Sequence, residues 1–192
     1  MQHVRVSDER LERVLDAAYE CFVRYGIRRT TMDDIAAAAR ISRPAVYQHV
    51  RNKDDAFRRL ADRLFDRTLA AARAAATGDG TAGERFYRVL AVKLDLTVGL
   101  FRASPHAAEL LGATDLIADR VAGFTADVEA LAAGVLRDGG IEPAADLAAV
   151  AVALTRGLEA DLTDTDLLYR RLRQGAELLV AGATRTHPGA KP

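Results

Sequence analysis

Between Arg24 and Lys53 the chain places Arg24, Arg28, Arg29, Arg40, Arg43, Arg51 and Lys53 against only two acids, Asp33 and Asp34. Cationic groups gathered in so short a stretch attract phosphate oxygens, and a nucleic-acid backbone supplies these in a row. The whole chain balances 27 basic against 27 acidic residues, so any polyanion is met by this local patch and not by a global field.

Other chemistry-bearing residues are sparser. His106 and Glu109 stand three apart, a spacing suited to an acid/base or metal pair. Two residues on a short helix fall far short of a catalytic constellation, and a partly exposed polar pair is the simpler reading. His49 has no second ligand at a usable spacing, and Cys21 is the only cysteine, so neither a metal site nor a disulfide is expected. No cofactor and no enzymatic activity are expected; an enzyme built in a helical cavity is the least favoured alternative.

The elements that must position the basic stretch follow from hydrophobic spacing. Leu11, Val14, Leu15, Ala18, Phe22 and Tyr25 form one helical face behind Ser7, and Gly26 stops it. Thr31-Met32-Asp33-Asp34 resembles a capping box opening a helix of barely two turns, with Met32, Ile35, Ala36 and Ala39 inward. Arg40-Ile41-Ser42 interrupts the pattern. Ser42 as N-cap and Pro44 in the first turn start a third helix with Val46 and Val50 inward. Asn52 then opens a long helix to about Ala76, and Thr77–Gly83 is the clearest joint. Beyond it, helices are expected at about 84–103, 105–112, 115–138, 143–161 and 164–184, with no strand.

Three short helices with a tight turn between the second and third are the layout of a helix-turn-helix. The run from Thr30 to Lys53, with Thr31-Met32-Asp33-Asp34-Ile35-Ala36 and Pro44-Ala45-Val46-Tyr47-Gln48-His49 at its centre, resembles the tetracycline-repressor-like (TetR/AcrR) family. The resemblance covers residues 8 to about 65; further on, only length and helical pattern agree. Arg40 stands where the family often has a turn glycine, Pro44 where glycine is common, and Val50 where an aromatic is usual. A positive φ at Arg40 costs about 1 kcal/mol relative to glycine, a hint that its charge is used.

By position in that family, Thr31, Tyr47, His49 and Lys53 are the implied phosphate contacts, and Arg43, Pro44, Ala45 and Gln48 the implied groove-facing set. The chemistry agrees with that division. Hydroxyls and an ammonium fix register on the backbone. Arg43 suits a bidentate pair with guanine, Gln48 one with adenine, and Ala45 a methyl contact with thymine. For Thr31 and Tyr47 the alternative is capping or packing; for Arg43, His49 and Lys53 it is a solvated surface group.

Behind this unit the composition, 49% hydrophobic with 6% aromatic and no Trp, suits packed helices. Leu147–Leu154 is almost uniformly apolar, and Leu167, Leu168, Leu172, Ala176, Leu179, Val180 and Ala183 form a wide stripe on the last helix. These two helices are expected to form a homodimer interface, as the family resemblance also implies, with intrachain burial as the alternative. On the helix at 84–103, Lys93 lies about 140° and Thr97 about 180° from Arg88, on the apolar face. A buried ammonium must pair, snorkel or border a cavity. One expectation is an effector pocket lined by Lys93, Thr97, Phe101, His106, Glu109 and Phe124; others are snorkelling to solvent and an internal pair with Glu109.

The expected protein is all-α. A three-helix helix-turn-helix domain (1–55) precedes a larger helical ligand-binding and dimerisation domain (56–185) and a disordered tail (186–192). Its expected function is transcription regulation, as a repressor released from a palindromic double-stranded DNA operator by a small-molecule effector. Ligand-independent or activating regulation is the alternative. Met1–Arg5 leads into charged Asp8-Glu9-Arg10 without the apolar region of a secretory signal, and no membrane span is expected, so the cytoplasm is the expected location.

Overall fold

The computed structural model describes residues 2–186, with side chains for 9–184; of the tail expected at 186–192, Thr186 ends a helix and the rest lies outside the described residues. Those residues are helical, without a strand: α1 (Gln2–Arg29), α2 (Met32–Ala39), α3 (Arg43–Tyr47), α4 (Lys53–Thr77), α5 (Ala82–Ala103), α6 (Ala107–Gly112), a 3-10 turn (Ala113–Ile117), α7 (Ala118–Asp138), α8 (Ala144–Leu158) and α9 (Thr165–Thr186). The chain divides into two compact units. The first comprises residues up to Leu64 together with Leu100–Ala118, and the second Phe65–Gly99 with the residues from Asp119 onward.

The first unit is built on α1. Val14, Leu15, Ala18 and Phe22 project from it into a core shared with Ile35 of α2, Val46 of α3, Val50 between α3 and α4, Phe57 and Leu60 of α4, and Leu110 of α6. Phe22 and Phe57 meet edge to face, with ring centroids 5.9 Å apart, a geometry that aligns ring edge with ring face. Helix α1 begins at Gln2, ahead of Ser7, because nothing between them breaks a helix. It is interrupted at Gly26, whose φ of 78° and ψ of 162° suit only a residue without Cβ. A Cβ there would also lie 2.4 Å from an Oε2 of Glu109. The helix expected at 115–138 starts only at Ala118, its first expected residues lying in the 3-10 turn, and α6 starts at Ala107 once Ser104, Pro105 and His106 have made a turn.

In the second unit Phe86, Leu90 and Leu94 of α5, Val128 and Leu136 of α7, Ala148 and Val152 of α8 and Leu172 of α9 are buried. Phe65 stacks on Phe124 with centroids 4.6 Å apart. Helices α8 and α9 approach so closely at Gly175 that a Cβ there would meet Cδ2 of Leu154 at 2.3 Å.

Start signals expected in the sequence are realised as hydrogen bonds. Thr31 Oγ1 accepts from the Asp34 amide at 3.2 Å, and the Thr31 amide donates to Asp34 Oδ2 at 2.8 Å, a complete capping box for α2. The Asn52 side chain accepts from the Asp55 amide at 2.8 Å at the head of α4. Hydrogen bonds from the Thr31 hydroxyl and then from its amide hold the Asp34 carboxyl below its ordinary range. A depressed folded-state pKa stabilises the fold above the unfolded value of about 3.9 and loses that effect as pH falls through the folded value. Thermal unfolding between pH 7 and pH 3 should therefore show less acid loss of stability in Asp34→Asn than in the parent chain. Thr31→Ala should cost about 1 kcal/mol at neutral pH.

Candidate nucleic-acid interface

The turn between α2 and α3 is set by two residues. Arg40 closes α2 in the left-handed conformation (φ 56°, ψ 42°), its amide donating to the carbonyls of Ala36 and Ala37. Ser42 caps α3 by accepting from the Ala45 amide at 3.4 Å, with Pro44 in the first turn, where its missing N–H costs nothing. Val46 and Val50 are fully buried, which fixes which way α3 faces. Thr31, Arg40, Arg43, Pro44, Tyr47 and Gln48 are therefore exposed, while Ala45, His49 and Lys53 are half-buried. The nine residues expected to meet nucleic acid lie in one unit, between residues 31 and 53.

Several are engaged with each other or with the scaffold. Arg43 Nη1 donates to Asp33 Oδ2 at 2.9 Å and Nη2 to the Tyr47 hydroxyl at 3.3 Å, with the guanidinium carbon 5.7 Å from the Tyr47 ring centre. The Tyr47 hydroxyl and then the Asp33 charge favour the charged guanidinium still further. Lys53 Nζ donates to the carbonyls of Ile27 and Arg28, both at 3.0 Å, and so covers oxygens left open where α1 ends. The amide of Arg28 donates to Glu109 Oε1 at 2.7 Å. Ser104 Oγ donates to the Val23 carbonyl at 2.7 Å. Cys21 is buried, and burial pushes its thiol pKa up, which leaves it a small apolar core residue.

Residues 14–60 match the family model described as bacterial regulatory proteins, tetR family. That stretch, within the N-terminal unit, is what the chain shares with the TetR family. It is 34% identical over 73 residues to the HTH-type transcriptional regulator TtgR of Pseudomonas putida, a match covering 38% of this chain. The chain thus spans 35% of the length of that curated relative. Among solved structures, a putative transcriptional regulator from Pseudomonas aeruginosa PAO1 superposes with a TM-score of 0.72 at 23% identity, covering 96% of this chain and 95% of that one. The SmeT-triclosan complex superposes with a TM-score of 0.62 at 20% identity, covering 93% and 91%. Both likenesses extend the shared all-helical fold over the second unit.

The six residues expected around an effector are divided. Lys93, Thr97 and Phe124 belong to the second unit, and Phe101, His106 and Glu109 to the first. Lys93 is buried and resolves its charge by an ion pair: Nζ lies 2.6 Å from Glu159 Oε1, and Thr97 Oγ1 donates to the same oxygen at 3.2 Å. Its partner is thus Glu159, while Glu109 accepts from the Arg28 amide. Phe124 is taken up by Phe65, and Phe101 is exposed. Sequence reasoning did not single out Asp33 or Glu159. Asp33 entered only as an acid in a basic stretch, and Glu159 lies 66 positions from Lys93, beyond any periodic rule. Among the described residues no three His, Cys, Asp or Glu side chains gather as a metal site.

The Lys93–Glu159 pair yields a stability prediction. Glu159→Ala strands a buried ammonium and should cost about 3–5 kcal/mol, whereas the double change Lys93→Met with Glu159→Leu should be close to neutral. Urea unfolding of the three chains measures both effects.

Proposed function

We propose that this chain is a TetR-family transcriptional repressor that binds an operator in double-stranded DNA and releases it on binding a small molecule. The observation that carries the reading is the exposed row Thr31, Arg40, Arg43, Tyr47 and Gln48, held on a buried apolar scaffold within the stretch that matches the family model. Thr31, Tyr47, His49 and Lys53 position the backbone, and Arg43, Pro44, Ala45 and Gln48 read bases. The regulator TtgR supports the transcriptional role, and the SmeT-triclosan complex supports a small-molecule effector.

The repressor works as a homodimer through α8 and α9. Val150 and Leu178 support this assignment, being 55% and 61% exposed although both are large and apolar. A shallow groove of about 290 Å³ beside Leu178, lined by Pro143, Leu147, Leu179 and Ala183 among others, continues the same apolar surface. The effector enters the second unit near Lys93 and Thr97, where a carboxylate or carbonyl group would compete with Glu159 for the ammonium. No helix among the described residues is long and apolar enough to cross a membrane, and the proposed place of action is the cytoplasm, where the operator is found.

Selection of duplexes from a randomised pool by the full chain tests the reading. A two-fold symmetric sequence with half-sites about 34 Å apart should be enriched. Gln48→Ala should relax preference at one base pair per half-site by about 1–3 kcal/mol without changing the salt dependence. Enrichment of no sequence contradicts DNA recognition, and a single asymmetric site contradicts the dimer.

A further inference from the structure

Asp33 is an anomaly on the proposed DNA surface. It and Asp34 are the two acids between Arg24 and Lys53, and the Asp34 carboxylate is occupied by the amide and hydroxyl of Thr31. The Asp33 carboxylate instead reaches across the turn to Arg43 Nη1 at 2.9 Å, while Tyr47 accepts from Nη2 at 3.3 Å. With side chains 53% and 66% exposed, the Arg43–Asp33 pair is too solvated to stabilise the fold appreciably. An acid on a surface that meets phosphate also opposes binding. What it does is engage the one arginine at the head of α3, on both terminal nitrogens together with Tyr47.

We propose that Asp33 is a specificity-determining residue that masks Arg43 from phosphate and makes it answer to a base pair presenting two acceptors. This rests on the DNA-binding reading above. A lone phosphate met anywhere along a duplex must compete with the Asp33 carboxylate for the guanidinium. Guanine, with O6 and N7 side by side, offers two acceptors in the planar geometry the guanidinium fits and compensates for the lost ion pair. Discrimination thus comes from a repulsive element as well as an attractive one. Tyr47 keeps the guanidinium over its ring while the partner is exchanged.

The test uses the full chain, the duplex it selects from the randomised pool, and a scrambled duplex of the same composition. Asp33→Asn should bind the scrambled duplex about tenfold tighter at 0.1 M salt, with log K falling more steeply against log salt by about 0.9, one phosphate contact. Its preference for guanine at the position read by Arg43 should fall several-fold. Asp33→Ser should behave alike, with circular dichroism and melting confirming that both variants are folded. In an Arg43→Gln background, Asp33→Asn should change scrambled-duplex binding by much less. Equal effects in both backgrounds would show a merely repelling charge and overturn the proposal, as would an unchanged guanine preference. Failure of the parent chain to select any duplex would instead overturn the DNA-binding reading itself.

Discussion

Where α1 breaks at Gly26, backbone groups lose their helical partners and must find others, because an unpaired buried amide or carbonyl is expensive. Thr30 returns to the Gly26 carbonyl through both its amide, at 3.2 Å, and its hydroxyl, at 2.7 Å. Lys53 covers the carbonyls of Ile27 and Arg28, and Glu109 takes the amide of Arg28. One residue later Thr31 caps α2. The start of the helix-turn-helix, the start of α4 and the α6 segment are thereby tied to the same few backbone atoms. The orientation of α2 and α3 depends on that knot together with the burial of Ile35, Val46 and Val50.

Lys53 and Glu109 are drawn differently by geometry than by residue type. Lys53 commits two of its three N–H groups to α1, so an outward phosphate contact has one donor left. Glu109 meets the same chain end at the Arg28 amide and acts there as a hydrogen-bond acceptor for the scaffold. Both side chains are polar residues that hydrogen-bond the backbone beneath the proposed reading surface.

The local part of this design was legible in the sequence. The Thr31 capping box, the break at Gly26, the left-handed turn at Arg40, the Ser42–Pro44 start and the inward Val46 and Val50 are set by neighbours within four positions, where side-chain and backbone preferences decide the outcome. Contacts that cross the fold were not legible. Asp33 with Arg43, Lys53 with Ile27 and Lys93 with Glu159 are separated by 10, 26 and 66 positions, and no periodicity encodes them. The oddity of Lys93 on an apolar face was visible, as was the requirement that it be paired. Its partner was not, because an acid just past the end of α8 looks like any other surface carboxylate in the sequence. The uniformly apolar Leu147–Leu154 run was likewise visible, and the exposed Val150 shows that intrachain packing does not use all of it.

The central claim is that residues 31–53 form a reading surface already set by the scaffold beneath it. Hydrogen exchange of the full chain, alone and bound to the duplex it selects, tests this most directly. The claim predicts that DNA adds protection within Thr31–Lys53 and leaves the exchange of the buried α1 amides around Val14 and Phe22 unchanged. Protection gained on α8 or α9 with none between 31 and 53 would contradict it.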